Sequence, residues 1–157
     1  MDDLESALKY DLAAVAATPD GYPNLAHHQQ SLAVSYTDQF ERLGNLDALE
    51  SALKYNLAAV AATPDDHPDL AFRQQSLSTS YIHRFQKLGD LNDLDSALEY
   101  GIKAVATTPD GHPDLAVRQH SLATCNRFLG NVAQYLDHNS QCTQPMYIAK
   151  GCRSSGK

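Results

Sequence analysis

Two histidines stand among carboxylates, a combination that could bind a metal ion. His67 and His112 lie in matching loops, and each is followed by Pro-Asp. The acidic neighbours are Asp65, Asp66, Asp69, Asp110 and Asp114. Imidazole and carboxylate groups are common metal ligands. Because the phrase is repeated between helix-like segments, turn and helix-cap chemistry explains it better, and the sequence predicts no metal site.

The segment 151–157 reads Gly-Cys-Arg-Ser-Ser-Gly-Lys and matches a phosphate-binding loop as far as its lysine. That chemistry also needs a preceding strand, a following helix and a Ser or Thr after the lysine. A chance match is therefore favoured over the edge of a larger nucleotide-binding protein. Cys125, Cys142 and Cys152 form no Cys-x-x-Cys pair, which favours reduced thiols over zinc or a disulfide framework. With no recurring set of nucleophile, base and orienting residue, we predict no enzyme and no cofactor.

Charge and hydropathy exclude further classes of function. The formal net charge is −7 and the sequence pI is about 5.3, with no basic run. Nucleic acids and anionic membranes require clustered Lys and Arg, so neither is an expected partner. No apolar run reaches the roughly 18 to 20 residues of a membrane span, and the acidic first residues are unlike a signal peptide. A cytoplasmic location is expected.

The elements that carry these residues are repeated three times. Nearly the same seven-residue sequence occurs at 4–10, 49–55 and 94–100, which gives a period of 45 residues. In the middle copy an apolar stripe with helical spacing is formed by Leu46, Leu49, Leu53, Leu57 and Val60. A second phrase, with Pro23, Pro68 and Pro113 as first helical residues, starts another helix that ends at glycine. The predicted helices are 2–17, 23–43, 47–63, 68–88, 92–108 and one from 113, with no strands.

After Thr124 the pattern changes. Leu129-Gly130 comes one helical turn earlier than the period requires. We therefore predict that the repeat array covers 1–130, about two and a half repeats, and that 131–157 holds one short helix at 132–137 and then a disordered tail.

These residues resemble the tetratricopeptide repeat. Ala52, Ala59 and Pro64 stand as that family's second-helix Ala, Ala and Pro do, and Leu77 with Tyr81 matches its first-helix pair. The longer period is similar to the long-helix variety in kinesin light chains and in fungal arrays of multidomain proteins that carry a CHAT peptidase domain. The resemblance implies an all-α, right-handed α-solenoid of antiparallel helix pairs.

The resemblance also implies a concave groove lined by the first helix of each pair. Residues that vary between the copies while the apolar stripe stays fixed are the candidates for its surface. They are His27, Phe72 and Val117, then Thr37 and Ile82, and then Asp38 and His83. The resemblance adds Gln30, Gln75 and His120, and Val34, Thr79 and Thr124, which correspond to the places where some relatives clamp a partner's C-terminal carboxylate. Neutral variation on a solvated face would give the same pattern. The carboxylate clamp of some relatives is absent, because Gln30, Gln75 and His120 occupy its place.

The predicted function is a protein-interaction scaffold that binds a protein or peptide partner in this groove. The alternative is a spacer or self-association segment of a larger protein, with no ligand of its own. The first helix lacks its pair, which predicts an exposed apolar face along Leu4, Leu8, Leu12 and Val15. We expect either association of the chain through this face or a larger parent protein that supplies the missing helix.

Overall fold

The computed structural model describes residues 3–142, with side chains described as far as residue 138. It contains six helices and no strand in this range. They are α1 (Asp3–Ala17), α2 (Leu25–Leu43), α3 (Leu46–Ala61), α4 (Leu70–Leu88), α5 (Leu91–Ala106) and α6 (Leu115–Cys142). The predicted all-α class is confirmed. No helix in the described range is long and apolar enough to cross a membrane.

Helices α2, α4 and α6 begin two residues later than predicted. The proline phrase forms a tight turn in front of each helix, in which the Leu70 N–H donates to the His67 carbonyl at 3.0 Å. The His67 ring then caps the start of α4, since its Nδ1 accepts from the Asp69 N–H at 3.1 Å. His112 and Asp114 repeat this bond at 3.1 Å before α6. The predicted turn and cap role of the two histidines is confirmed.

Glycine ends two of the helices but not the third. Gly44 and Gly89 have φ of 66° and 71°, a left-handed conformation that favours glycine, and they close α2 and α4. Gly130 instead lies within α6, which continues to Cys142. The predicted break at Gly130 and the separate helix at 132–137 are therefore wrong. One helical glycine costs only about 1 kcal/mol, and no proline lies between Gly130 and Cys142 to stop the helix there. The predicted disordered tail began at 138, and this is wrong for 138–142, which belongs to α6. The rest of that tail, with the segment 151–157, lies outside the described residues.

The core face of α3 differs in part from the predicted stripe. Leu49 and Leu53 are buried as expected, but Leu46 and Leu57 are exposed. Asn56 takes the inner position, because its Nδ2 donates to the Ser80 Oγ at 3.0 Å and so satisfies a buried donor. The remaining buried positions of this face are alanines, namely Ala48, Ala52 and Ala59. Small side chains at these positions let α3 approach its neighbours closely.

Each helix packs on the next one along the chain, and the even-numbered helices also touch one another. Helix α2 contacts α4, and α4 contacts α6, whereas α1, α3 and α5 make no mutual contact in the described range. The contact between a helix and its successor recurs in detail. Tyr36 stacks on Tyr55 with ring centroids 5.9 Å apart, and Tyr81 stacks on Tyr100 at 6.1 Å. The even-numbered helices thus form one continuous layer.

Candidate partner-binding groove

Three adjoining cavities run along the layer of even-numbered helices, and we call their combined surface the groove. The central cavity, about 570 Å³, lies across α2 and α4. It shares Val34 and Ser35 with a second cavity of about 440 Å³. It shares Gln75 and Thr79 with a third cavity of about 150 Å³ between α4 and α6. The three cavities therefore lie side by side across α2, α4 and α6, with shared lining residues between neighbours.

The structure brings most of the predicted site residues to this groove. Those that line it are His27, Gln30, Val34, Thr37, Asp38, Phe72, Gln75, Thr79, Ile82, His120 and Thr124. His83 and Val117 do not line these three cavities. Val117 is exposed on the first turn of α6. A binding role for these residues stays a prediction.

His83 has a structural position between α2 and α4. Its ring lies 5.5 Å from the Phe40 ring, and its Nε2 is 3.9 Å from a Glu41 carboxylate oxygen. Burial lowers the pKa of His83, and the Glu41 charge opposes that shift only in part. A neutral imidazole therefore packs at this contact at neutral pH.

The walls of the groove offer apolar anchors and acceptors. Val34 and Phe72 are each about half exposed, at 49% and 48%. The threonine hydroxyls donate within their own helices, from Thr37 to the Ala33 carbonyl at 2.9 Å and from Thr79 to the Gln75 carbonyl at 3.1 Å. Their donors are therefore used, and they present methyl groups and oxygen lone pairs to a partner.

Amide side chains beneath the groove retain unused hydrogen-bonding capacity. Both amide atoms of Gln30, and the side-chain oxygens of Asn56 and Gln75, are buried without a hydrogen-bond partner. Buried polar groups are normally paired, and leaving one unpaired costs about 1 to 3 kcal/mol. These amides give the groove donors and acceptors that a partner's main chain could satisfy after a small side-chain movement.

The central cavity is acidic. Asp3, Asp38 and Glu41 contribute carboxylates to its wall, whereas Arg42 is its one cation and pairs with Asp38 at 3.1 Å. The cavity therefore carries a net negative charge, which favours a partner segment that bears Lys or Arg.

A buried arginine supports the second cavity and was missed by the sequence reasoning. Arg73 is 4% exposed and donates to the Thr63 hydroxyl and to Asp69, the latter at 3.3 Å. Burial lowers the pKa of Arg73, with the Asp69 charge opposing the shift. Arg118 repeats the arrangement one period later, with 2.8 Å to the Thr108 hydroxyl. The recurrence of Arg and Thr at the 45-residue spacing was the signal that could have revealed this tie between successive helices.

A second arginine joins three helices behind the groove. Arg84 of α4 donates to both Asp93 carboxylate oxygens, at 2.6 and 3.0 Å, and to Glu50 at 3.1 Å. Its hydrogen bond to Asp93 raises the pKa of Arg84 far above its usual range. The guanidinium also lies 5.5 Å from the centre of the Tyr81 ring. This network fixes α4 against α3 and α5, and hence fixes the groove wall that α4 supplies.

The described residues contain no group of three or more His, Cys, Asp and Glu side chains that could hold a metal ion. What the arrangement offers is a shaped, acidic and partly apolar surface suited to binding. No family model matches the chain, and neither the curated proteins nor the solved structures contain a match to it.

Proposed function

We propose that this chain is a protein-interaction scaffold that binds a peptide segment of a partner protein along the groove. The observation that carries the proposal is the row of three adjoining cavities across α2, α4 and α6, each of which shares lining residues with its neighbour. A row of cavities several side chains long suits a polypeptide better than a small metabolite, which is normally enclosed in one concave pocket.

The architecture behind this proposal is a right-handed, tetratricopeptide-like α-solenoid with a 45-residue repeat over 1–130. Three features support it: each helix packs on its successor, the even-numbered helices share one layer, and the tyrosine stacks and Arg-Thr ties recur one period apart. In such an array each unit contacts only its neighbours, and the curvature of the stack produces an extended binding surface.

The chemistry of the groove defines the partner. Val34 and Phe72 provide apolar contact, and the carboxylates of the central cavity select positive charge. The expected partner segment combines an apolar side chain with Lys or Arg nearby, and its main chain pairs with the amides of Gln30 and Gln75. We propose binding without catalysis and a cytoplasmic setting. The buried, free thiol of Cys125 suits a reducing compartment.

Selection from a random 12-residue peptide library displayed on phage, with the full chain as bait, tests the proposal. We expect enrichment of peptides that carry Lys or Arg beside an apolar residue. The double variant Val34→Arg, Thr79→Arg should lose these peptides, because the two long side chains fill the groove and neutralise the net negative charge of its central cavity.

The matched control is Leu57→Arg, Ile102→Arg, which adds the same charge at exposed positions that do not line the groove. It should retain the peptides. If no peptide is enriched, or if both double variants bind equally well, the groove does not bind peptides and the spacer alternative is favoured.

A further inference from the structure

One face of α1 is open, although its counterparts in α3 and α5 are covered. Along α1 the face consists of Asp3, Ala7, Tyr10 and Ala14, spaced by three or four residues. Tyr10 is 73% exposed and Asp3 and Ala7 are exposed, while Ala14 is half-buried. One and two periods later stand Ala48, Ala52, Tyr55 and Ala59, and Asp93, Ala97, Tyr100 and Ala104. The six Ala and Asp counterparts are at most 3% exposed.

This open face differs from the one that the sequence predicted. Leu4 and Leu8 are buried with Leu32 in the contact between α1 and α2. The face along Leu4 and Leu8 is therefore already covered by α2. The surface that lacks a partner lies beside it, on the side where α3 and α5 each receive the preceding even-numbered helix.

The α4–α5 contact shows what such a face binds. Tyr100 stacks on Tyr81 of α4, with the ring planes 9° apart. The Ala97 carbonyl accepts a hydrogen bond from the Ser78 Oγ at 2.7 Å. The Asp93 carboxylate accepts two hydrogen bonds from the Arg84 guanidinium. Helix α1 has the identical residue at each of these three positions: Asp3, Ala7 and Tyr10 correspond to Asp93, Ala97 and Tyr100.

We propose that the open face of α1 docks an amphipathic helix that presents Ser, Tyr and Arg at successive spacings of three residues, as α4 does with Ser78, Tyr81 and Arg84. Asp3 selects an α4-like helix over an α2-like one. The α2–α3 contact has Ala48 at the position of Asp3, and Gln39 at the position of Arg84. The partner's arginine would therefore pair with the Asp3 carboxylate, which has no counterpart in α3.

A second copy of the chain fits this face less well. The helix that corresponds to α4 at the other end is α6, and it carries Asn126 and Leu129 where α4 has Tyr81 and Arg84. At these two positions α6 therefore offers neither an aromatic ring to stack on Tyr10 nor a cation to pair with Asp3. A docked helix would also adjoin the groove, because Asp3, Leu4 and Ala7 line the central cavity. The proposed helix thus extends the layer formed by α2, α4 and α6.

A synthetic peptide of residues 67–90, which carries the α4 sequence, is the probe. We expect a fluorescently labelled form to bind the full chain saturably with 1:1 stoichiometry and to gain helicity, because an isolated helix of this length is marginal in water. Ala7→Arg should abolish binding, since its counterparts are fully buried and a long side chain blocks the approach of a helix. Ala13→Arg is the matched control, because the corresponding residue of α5 is the exposed Lys103, and it should bind normally.

Two further variants test the chemistry of the contact. Tyr10→Ala should weaken binding by about 2- to 10-fold, the range expected for loss of one aromatic pair. Asp3→Arg should weaken binding of the native peptide and restore binding of a peptide with Arg84→Asp. Peptide binding that is unchanged in Ala7→Arg would show that the peptide displaces α4 or docks elsewhere, and would overturn the proposal.

Sedimentation of the peptide-free chain separates docking from self-association. We expect a monomer at all concentrations for the native chain and for Ala7→Arg. A dimer that Ala7→Arg dissolves would overturn the proposal in favour of a second copy. The groove variant for this comparison is Thr124→Arg, because Thr124 lines only the third cavity, which contains no residue of α1. It should leave the Kd of the 67–90 peptide unchanged, so docking on α1 can be tested separately from peptide binding in the groove.

Discussion

Ala59 provides a quantitative test of the close helix contacts on which the fold depends. Ala59 is fully buried in the face of α3 that meets its neighbours. Its carbonyl also accepts from the Thr63 hydroxyl, which in turn receives the Arg73 guanidinium. Ala59→Phe must therefore push α3 away and disturb this hydrogen-bonded tie as well. Overpacking costs about 1 to 3 kcal/mol and the bond about 1 kcal/mol, so we expect a loss of about 2 to 4 kcal/mol.

Urea unfolding followed by circular dichroism measures this loss. With a slope of about 2 kcal/mol per M, the midpoint should fall by about 1 to 2 M without a change in slope. Ala14→Phe is the matched control, because Ala14 occupies the same place in α1 but is half-buried. Its free energy of unfolding should stay within about 0.5 kcal/mol of the native value. Equal losses in both variants, or no loss in Ala59→Phe, would refute the reasoning.

Three other predictions concern the helix ends and the buried charges. Gly89→Ala should destabilise the fold by about 1 to 2 kcal/mol, because Gly89 has a φ of 71°. Gly130→Ala should stabilise it by up to about 1 kcal/mol, because Gly130 lies inside α6. The midpoints of thermal unfolding of the two variants should therefore shift in opposite directions. Arg84→Met leaves the Asp93 carboxylate buried without its partner and should cost about 2 to 4 kcal/mol in urea unfolding, and adding Asp93→Leu should recover at least half of that loss. The pKa of His83 is lower in the folded than in the unfolded state, so the unfolded state binds more protons and stability falls as the pH drops below about 6.5. His83→Gln should make the unfolding midpoint less sensitive to pH in that range, and an identical pH profile would contradict this assignment.

Local sequence signals were sufficient for the helices and for much of their packing. Ala52 and Ala59, which match the second-helix alanines of the tetratricopeptide repeat, are both fully buried. Asn45 and Asp47 are both residue types that cap helices, and the structure has the Asn45 side chain accepting from the Asp47 N–H at 2.9 Å. These features depend on neighbours in the chain, so the sequence carries them directly.

Features that depend on contacts between helices were harder to predict. Asn56 is buried because Ser80, on another helix, pairs with it, and no spacing within α3 indicates this. The prediction that a helix ends at Gly130 was wrong for a different reason. The same Leu-Gly dipeptide ends α2 and α4, where the chain turns immediately into the next helix, whereas α6 continues through it. Most predicted groove residues do line the cavities. Variation between copies indicated some of them, and the resemblance indicated the others. Neither signal reveals what the surface binds.

Mapping the bound peptide onto the protein tests the central claim most directly. The measurement is the change in backbone amide chemical shifts of the isotope-labelled full chain on titration with a library-selected peptide. Binding in the groove predicts that the largest changes fall on Val34, Phe72, Gln75 and Thr79, and that Leu57 and Ile102 stay unchanged. Changes concentrated at Leu57 and Ile102, with none along α2 and α4, would contradict the assignment of the groove as the binding site.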